Sequence, residues 1–253
     1  MEGAGAELPY GDLPGQIVAP NLTPDTATGA GNWSDDQLAR AIREGVGHDD
    51  RALFPIMPFQ HYRFMSDEDL ASVIVYLRSL PAVHHDLPNT EIMFPVKYLI
   101  RSIPEPVALP VANDDAPDPV RRGAQLVNLA GCIDCHTPQI KGENLPGLDF
   151  AGGAVFSGPW PTVASANITP DPSGIPYYDE ALFLEVMRTG SVRARPLSAV
   201  MPVSVYKNLS DADLKAIFAY LRTIKPVKHR VDNSEPPTEC KVCKQKHGAG
   251  ASN

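Results

Sequence analysis

Apolar residues recur three and four positions apart in two stretches of the chain, residues 70–77 and 214–221. This spacing places them on one face of an α-helix. Ser66 and Ser210 precede the two stretches, and acidic residues follow each serine, which is typical of a capped helix start. Alternating apolar and polar positions, which would indicate strands, are scarce. The pattern therefore predicts an all-α fold.

The same spacing predicts three further helices. One opens at Ser34 and continues through Leu38, and another opens at Asp179 and continues through Phe183. The third covers residues 121–129 and contains a glycine, which would allow another helix to approach closely. It ends just before the first of two Cys-x-x-Cys motifs.

The chain also repeats itself. The matched segments are 19–25 (APNLTPD) with 165–171 (SANITPD), 56–58 (IMP) with 200–202 (VMP), 65–70 (MSDEDL) with 209–214 (LSDADL), and 75–78 (VYLR) with 219–222 (AYLR). Their order is the same in both halves and their spacing is nearly constant, which predicts two related helical domains. We expect these domains at residues 1–83 and 118–228, with a proline-rich linker at 84–117 and a tail at 229–253.

Composition limits the possible partners. The 253 residues include 26 prolines and carry a formal net charge of −8. The prolines indicate an extended linker, in which residues 94–100 are apolar enough to dock partly on a domain. The negative charge argues against nucleic acid and anionic membrane surfaces as partners. No apolar run reaches the roughly 18 residues of a transmembrane helix, so we expect no membrane-spanning segment.

Residues 132–136 read Cys-Ile-Asp-Cys-His, the C-x-x-C-H attachment motif of a c-type haem. The thiols of Cys132 and Cys135 can add to the vinyl groups of the porphyrin, and His136 can ligate the iron. A disulfide or half of a zinc site is the simpler interpretation. A tetrahedral zinc site needs four ligands, however, and the neighbouring sequence supplies no second pair.

Met201 is the candidate for the second iron ligand. It stands before Pro202, after an irregular segment and ahead of the helix capped by Ser210. Core packing is the alternative, because methionine commonly fills gaps in protein interiors. Met187 is a rival ligand, but its helical spacing favours the core.

Residues 118–228 resemble a His/Met class I cytochrome c domain, with an opening helix, the C-x-x-C-H motif, a long loop, a Met-Pro pair and a closing helix. The resemblance implies that Cys132 and Cys135 form thioether bonds to haem c, with His136 as the proximal and Met201 as the distal iron ligand. It also implies that the closing helix crosses the opening one near Gly123. The duplication and the Asn-Ile-Thr-Pro-Asp loop are similar to cytochrome subunits of bacterial periplasmic dehydrogenases. The fold class expected is therefore all-α, with two cytochrome c-like domains in tandem.

The first half departs from this pattern. It contains Met57-Pro58 at the ligand position but no C-x-x-C-H before it, and the repeat would place that motif upstream of residue 1. Three explanations are open. The chain is a shortened form of a two-haem protein, the first domain has lost its haem and kept its fold, or another segment of the chain completes the haem site of this domain. His48 and His61 are possible substitute ligands without a thiol pair beside them.

The first residues lack the basic start and apolar core of a signal peptide. Because haem c is normally attached outside the cytoplasm, we expect the native precursor to begin upstream of residue 1. The expected location is periplasmic or otherwise extracytoplasmic.

The tail contains the second thiol pair, Cys240 and Cys243, which a lysine follows instead of a histidine. Three interpretations are open: a local disulfide, a metal site that includes His247, or haem attachment through C-x-x-C-K. One haem c is expected in the chain, and the last interpretation allows a second. His229, just after the closing helix, is expected at the surface.

The function predicted from these features is electron transfer without substrate chemistry. The protein would receive single electrons from a dehydrogenase or respiratory complex and pass them toward an oxidase. One alternative is a dihaem, peroxidase-like enzyme, which needs an open iron position that Met201 would block. The other is a structural haem subunit of a larger respiratory complex.

Overall fold

The computed structural model describes residues 3–8, 13–112, 118–140, 142–158 and 160–248. The helices in these ranges are α1 (Asp35–Glu44), α2 (Phe59–Tyr62), α3 (Asp67–Ser79), α4 (Val96–Leu99), α5 (Pro119–Leu129), α6 (Cys132–His136), α7 (Glu180–Thr189), α8 (Val203–Tyr206) and α9 (Asp211–Leu221), with a 3₁₀ turn at Ile100–Ser102. Within the same ranges, no helix has the length and apolar character needed to cross a bilayer.

Short strands pair within the loops between these helices. They are β1 (Ala6–Glu7), β2 (Gly15–Gln16), β3 (Val18–Ala19), β4 (Glu91–Ile92), β5 (Gln139–Ile140), β6 (Glu143–Asn144), β7 (Val155–Phe156), β8 (Val163–Ala164), β9 (Ser191–Val192), β10 (Arg195–Pro196), β11 (Thr238–Glu239) and β12 (Lys246–His247). They form antiparallel pairs, β1 with β3, β2 with β4, and each later strand with its neighbour in sequence. The all-α prediction holds for the cores, which are helical, while the strands were not predicted.

Local sequence explains where the longer helices begin. The side chains of Ser34, Ser66, Asp179 and Ser210 each accept a hydrogen bond from a backbone N–H in the first turn of the helix that follows. These bonds satisfy backbone donors that have no partner inside a helix. The predicted helix starts are therefore confirmed.

The chain divides into two compact units, Met1–Asp115 and Ala116–Asn253. The first unit is built on a small core formed by α1 and α3, with Ala30, Leu38, Ile42, Leu70 and Ile74 buried. The segment expected to be a linker contacts this unit. Thr90 accepts the N–H of Val18, Glu44 accepts the N–H of Val107, and Asp67 donates its N–H to Val111. Residues 113–117 of that segment lie outside the described ranges.

The second unit is organised by the crossing of α5 and α9. Gly123 of α5 lies so close to α9 that an added Cβ would collide with the carbonyl oxygen of Ala216 and the Cβ of Tyr220. The crossing predicted near Gly123 is therefore confirmed. The buried core around it consists of Leu126, Val127, Phe150, Phe183, Met187, Leu214, Ala216, Ile217, Phe218 and Leu221.

The sequence repeat appears as the same hydrogen bonds within each unit. In the first unit the Asn21 side chain accepts from the backbone and the hydroxyl of Thr23, and donates to the carbonyl of Val83 at 2.8 Å. In the second unit Asn167 makes the same bonds to Thr169 and Val227, again at 2.8 Å to the valine. Each asparagine thereby connects its Asn-x-Thr-Pro-Asp loop to the segment that follows α3 in the first unit or α9 in the second.

Candidate functional site

The C-x-x-C-H motif forms the short helix α6, directly after α5. Gly131 separates the two helices in the left-handed conformation, with φ 61°, which a glycine adopts without strain. The loop at residues 150–152 packs against the motif. The hydroxyl of Thr137 accepts the N–H of Phe150 at 3.1 Å, and the N–H of Gly152 donates to the carbonyl of His136 at 2.6 Å. Two hydrogen bonds therefore fix the motif to the loop at residues 150–152.

The imidazole of His136 has a defined tautomer. Its Nδ1 lies 2.7 Å from the carbonyl oxygen of Ala166, which can only accept a hydrogen bond, so Nδ1 carries the proton. The lone pair on Nε2 is then available to a metal, which is how ligating histidines are commonly oriented. Burial lowers the pKa of His136, and the bond to Ala166 acts in the opposite direction. The neutral imidazole is the form that binds iron.

The two thiols differ in exposure. Cys132 is half-buried and Cys135 is exposed. Burial, with a smaller effect of neighbouring Cys135, raises the pKa of Cys132 to about 12, and burial also raises the pKa of Cys135.

Met201 belongs to the same unit as the motif. Its half-buried side chain packs against the core that Cys132 and Ile133 also contact. The hydroxyl of Tyr206, in the helix that follows Met201, donates to the carbonyl of Ala130 at 2.9 Å. This hydrogen bond therefore links the segment that follows Met201 to the residues just before Cys132.

Three other candidate iron ligands are Met187, Met57 and His48. Met187 is buried in the core, as its helical spacing predicts. Met57 is half-buried in the first unit, where its carbonyl accepts the N–H of Phe59 as that of Met201 accepts the N–H of Val203. His48 stacks on Trp33, with ring centroids 4.3 Å apart. None of these three has a thiol pair beside it in sequence.

The tail brings Cys240, Cys243 and His247 together with His229, which the sequence did not connect with them. The ligand atoms of all four lie within 4.8 Å of one another. The surface prediction for His229 is wrong, because its side chain is 1% exposed. Burial lowers the pKa of both histidines. Of the three interpretations of this thiol pair, the disulfide is not formed in the structure, where both cysteines are free and face the imidazoles.

Comparison with known proteins identifies the domain that contains the motif. The sequence profile of cytochrome c matches residues 120–225. That stretch is a cytochrome c domain. The match extends from α5, through the C-x-x-C-H motif and Met201, to the end of α9. A cytochrome c domain implies covalently bound haem c.

Relatives that match 83–88% of the chain include two proteins named as dehydrogenase subunits and one named as a dihaem cytochrome c. The chain is 30% identical over 235 residues to a nicotinate dehydrogenase subunit of Pseudomonas putida, covering 88% of this chain and 19% of that protein. It is 31% identical over 229 residues to the fructose dehydrogenase cytochrome subunit of Gluconobacter japonicus, covering 83% and 45%. It is 28% identical over 223 residues to a dihaem cytochrome c-type protein of Cereibacter sphaeroides, covering 84% and 73%. The chain thus spans less than half of the first two relatives.

The residues of the cytochrome c domain fit haem c. Two thiols stand beside a histidine whose Nε2 is available, and that histidine is oriented by a backbone carbonyl. Cys132 and Cys135 would hold the porphyrin and His136 would ligate the iron. When bound, haem c supplies a reversible one-electron couple between ferrous and ferric iron.

Proposed function

We propose that the protein is an electron-transfer c-type cytochrome that passes single electrons through one haem held by Cys132 and Cys135, with His136 and Met201 as axial ligands. The observation that carries the proposal is the 2.7 Å bond from His136 Nδ1 to Ala166. It orients the imidazole and leaves Nε2 for iron. A thioether from Met201 would fill the other axial position and favour the reduced state, because it is a soft, neutral ligand.

The surrounding residues support a role in electron transfer. The core formed by α5 and α9 would exclude water from one side of the cofactor, which favours the state of lower charge. Cys135 is exposed, so the thioether edge beside it would be accessible to a partner. Electrons would enter and leave at this edge during short-lived encounters, which need only a small interface.

A dehydrogenase is the proposed electron donor. Two of the relatives are named as subunits of dehydrogenases, which supports a subunit role in which the chemistry on the substrate occurs elsewhere. The proposed acceptor is a component of a respiratory chain that leads to an oxidase. Because haem c is normally attached outside the cytoplasm, we propose a periplasmic or other extracytoplasmic location.

The first unit is proposed to be a second cytochrome c-like domain, in tandem with residues 118–228. The equivalent bonds of Asn21 and Asn167 support a duplication, and so do the equivalent Met-Pro pairs at Met57 and Met201. Within the two compact units, we place the repeated domains at residues 1–83 and 118–228, with the linker at 84–117 and the tail at 229–253.

The axial ligand is tested with Met201→Leu, and Met57→Leu serves as the matched control at the equivalent position of the repeat. We expect Met201→Leu to convert the ferric haem from low to high spin, to remove the sulfur-to-iron charge-transfer band and to lower the reduction potential. Met57→Leu should leave all three unchanged. An unaltered spectrum in Met201→Leu would exclude Met201 as the ligand, and a high-spin resting wild-type protein would favour the peroxidase alternative.

Haem stoichiometry tests covalent attachment at the motif. The pyridine haemochrome absorbance per chain, with the mass of the intact protein, should give one haem, and Cys132→Ser with Cys135→Ser should abolish attachment. Peptide mapping should place the haem on residues 132–136. A haem retained by the double variant would contradict attachment at this motif.

A further inference from the structure

Four side chains of the tail region converge on one point. His229 follows α9, Cys240 follows β11, Cys243 lies in the turn of the hairpin, and His247 lies in β12. The ligand atoms of all four lie within 4.8 Å of one another, and this is the one group of potential metal ligands found in the described ranges. Three of the four side chains are buried, Cys243 completely. The cluster is therefore an enclosed set of two sulfur and two nitrogen donors.

The hairpin is shaped to present both thiols. β11 and β12 pair with Thr238 opposite His247, and the Cys-x-x-Cys segment forms the turn between them. Lys244 adopts φ 60°, and its N–H donates to the carbonyl of Cys240 at 2.9 Å. The N–H of Val242 points at the sulfur of Cys240 at 3.3 Å. Burial raises the pKa of the Cys243 thiol, and the N–H of Gln245 acts in the opposite direction. Backbone donors aimed at sulfur stabilise the thiolate that binds metals.

The two imidazoles are also oriented as ligands. Nδ1 of His229 lies 3.0 Å from the carbonyl oxygen of Ala151, so Nδ1 carries the proton. Nε2 is then directed at the cluster, 3.3 Å from the sulfur of Cys240. Nε2 of His247 is buried and has no hydrogen-bond partner. Buried polar atoms are almost always satisfied, and a metal ion in the cluster would satisfy this one.

We propose that His229, Cys240, Cys243 and His247 bind one metal ion in a tetrahedral Cys₂His₂ site, and that zinc is the ion this donor set suits. Two thiolates and two neutral imidazoles form a common structural zinc site. Zinc bonds of about 2.3 Å to sulfur and about 2.0 Å to nitrogen place the donor atoms roughly 3.3–3.8 Å apart. On binding, each thiol releases one proton and forms one sulfur–metal bond, so the site becomes electrically neutral and no electron is transferred.

The metal site would attach the tail to the loop at residues 150–152, which is hydrogen-bonded to the haem motif. His229 bonds to Ala151, its ring packs against Gly153, and the intervening Gly152 donates to the carbonyl of His136. Asn233 adds a reciprocal pair of hydrogen bonds with the backbone of Ala164. Metal binding would therefore stabilise the fold around the motif. The metal site does not depend on the proposed electron transfer.

The test uses the full chain with haem attached, purified with a thiol reductant and incubated with zinc sulfate. Elemental analysis after dialysis against a chelating resin should give one zinc per chain, and zinc-edge X-ray absorption should show two sulfur and two nitrogen neighbours. Zinc content should fall to near zero in Cys243→Ser and in His229→Gln. The control His84→Gln changes an exposed histidine outside the cluster and should retain zinc.

Two outcomes in which the thiols are bonded otherwise would overturn the proposal. One is a Cys240–Cys243 disulfide that persists in the isolated protein without zinc, detected as resistance of the tail peptide to alkylation. The other is a second haem attached at Cys240 and Cys243. Because X-ray absorption is measured on the wild-type protein, a variant that fails to fold does not decide the question. Zinc bound through oxygen ligands alone would also contradict the site.

Discussion

The hydroxyl of Tyr206 donates a hydrogen bond of 2.9 Å to the carbonyl oxygen of Ala130. Tyr206 is the last residue of α8, the helix that follows Met201, and Ala130 lies just before Gly131 and Cys132. This bond connects the loop that carries the proposed distal ligand to the segment that carries the thiols. It therefore limits how far the methionine can move from the motif.

Removing this bond should weaken the hold of the proposed axial methionine. In Tyr206→Phe we expect added imidazole to replace Met201 on ferric iron about 5-fold more readily, since one hydrogen bond contributes about 1 kcal/mol. Titration with imidazole, followed by absorbance, measures the change. Tyr62→Phe, at the equivalent position of the repeat, is the control and should not alter the imidazole affinity. Equal affinity in Tyr206→Phe and wild type would contradict the connection.

Asn167 should affect the haem through the carbonyl of Ala166 beside it. Its side chain bonds to Thr169, Val227 and His229, and thereby orders the loop whose carbonyl accepts from His136. Asn167→Ala should reduce the free energy of unfolding by about 2–4 kcal/mol, because several buried hydrogen bonds are lost. It should also shift the reduction potential, because the Ala166 carbonyl that accepts from His136 is no longer held in place.

Asn21→Ala is the matched control for this experiment. Asn21 makes the equivalent bonds in the unit that lacks the motif. The variant should lower stability in denaturant unfolding while leaving the reduction potential unchanged. A potential that shifts equally in both variants would show that the effect is not transmitted through Ala166.

Gly123→Ala should disrupt the crossing of α5 and α9. The added methyl would collide with the carbonyl of Ala216, and the two helices would have to separate. Such overpacking costs about 1–3 kcal/mol, and more where backbone must move. Gly142→Ala is the control for backbone strain without collision. Gly142 has a φ of +83°, which strains an alanine, and no atom lies within 4 Å of the added Cβ. Thermal unfolding should show the larger loss for Gly123→Ala.

The ion pair between Arg43 and Asp67 should contribute more than its equivalent in the second unit. The Arg43 side chain is 8% exposed and that of Arg188, which pairs with Asp211, is 33% exposed. Asp67→Asn leaves the more buried guanidinium without its carboxylate, so it should lower the unfolding temperature more than Asp211→Asn at pH 7. Equal losses would contradict the dependence on burial.

The same pair predicts a pH dependence. The hydrogen bond from Arg43 is the main cause that lowers the pKa of Asp67 below its usual value. Because the folded state holds the carboxylate more strongly than the unfolded state, this stabilisation is present above pH of about 4 and is lost as the pH falls through the lowered pKa. The difference in unfolding temperature between wild type and Asp67→Asn should therefore shrink in acid.

Local features of the sequence were sufficient for most of the helices. Serine and aspartate caps and the three-to-four spacing of apolar residues act within one or two turns, so α3 and α9 begin where their serines predict. The two-residue strands were missed, because so short a pairing depends on which loops meet and carries no period of its own. Partial docking of the linker was expected at residues 94–100, but its contacts with Glu44 and Asp67 were not, because they join distant parts of the sequence.

The sequence by itself determined the features that depend on neighbours along the chain: the C-x-x-C-H motif, the helix starts, the duplicated Asn-x-Thr-Pro-Asp loops and the glycine at the helix crossing. The tertiary structure alone decided that His136 pairs with Ala166, and that His229 is buried against Cys240. Both relationships require chain folding to bring separate segments together. Hydrogen bonds and metal coordination act over a few ångströms in space, whatever the distance along the chain.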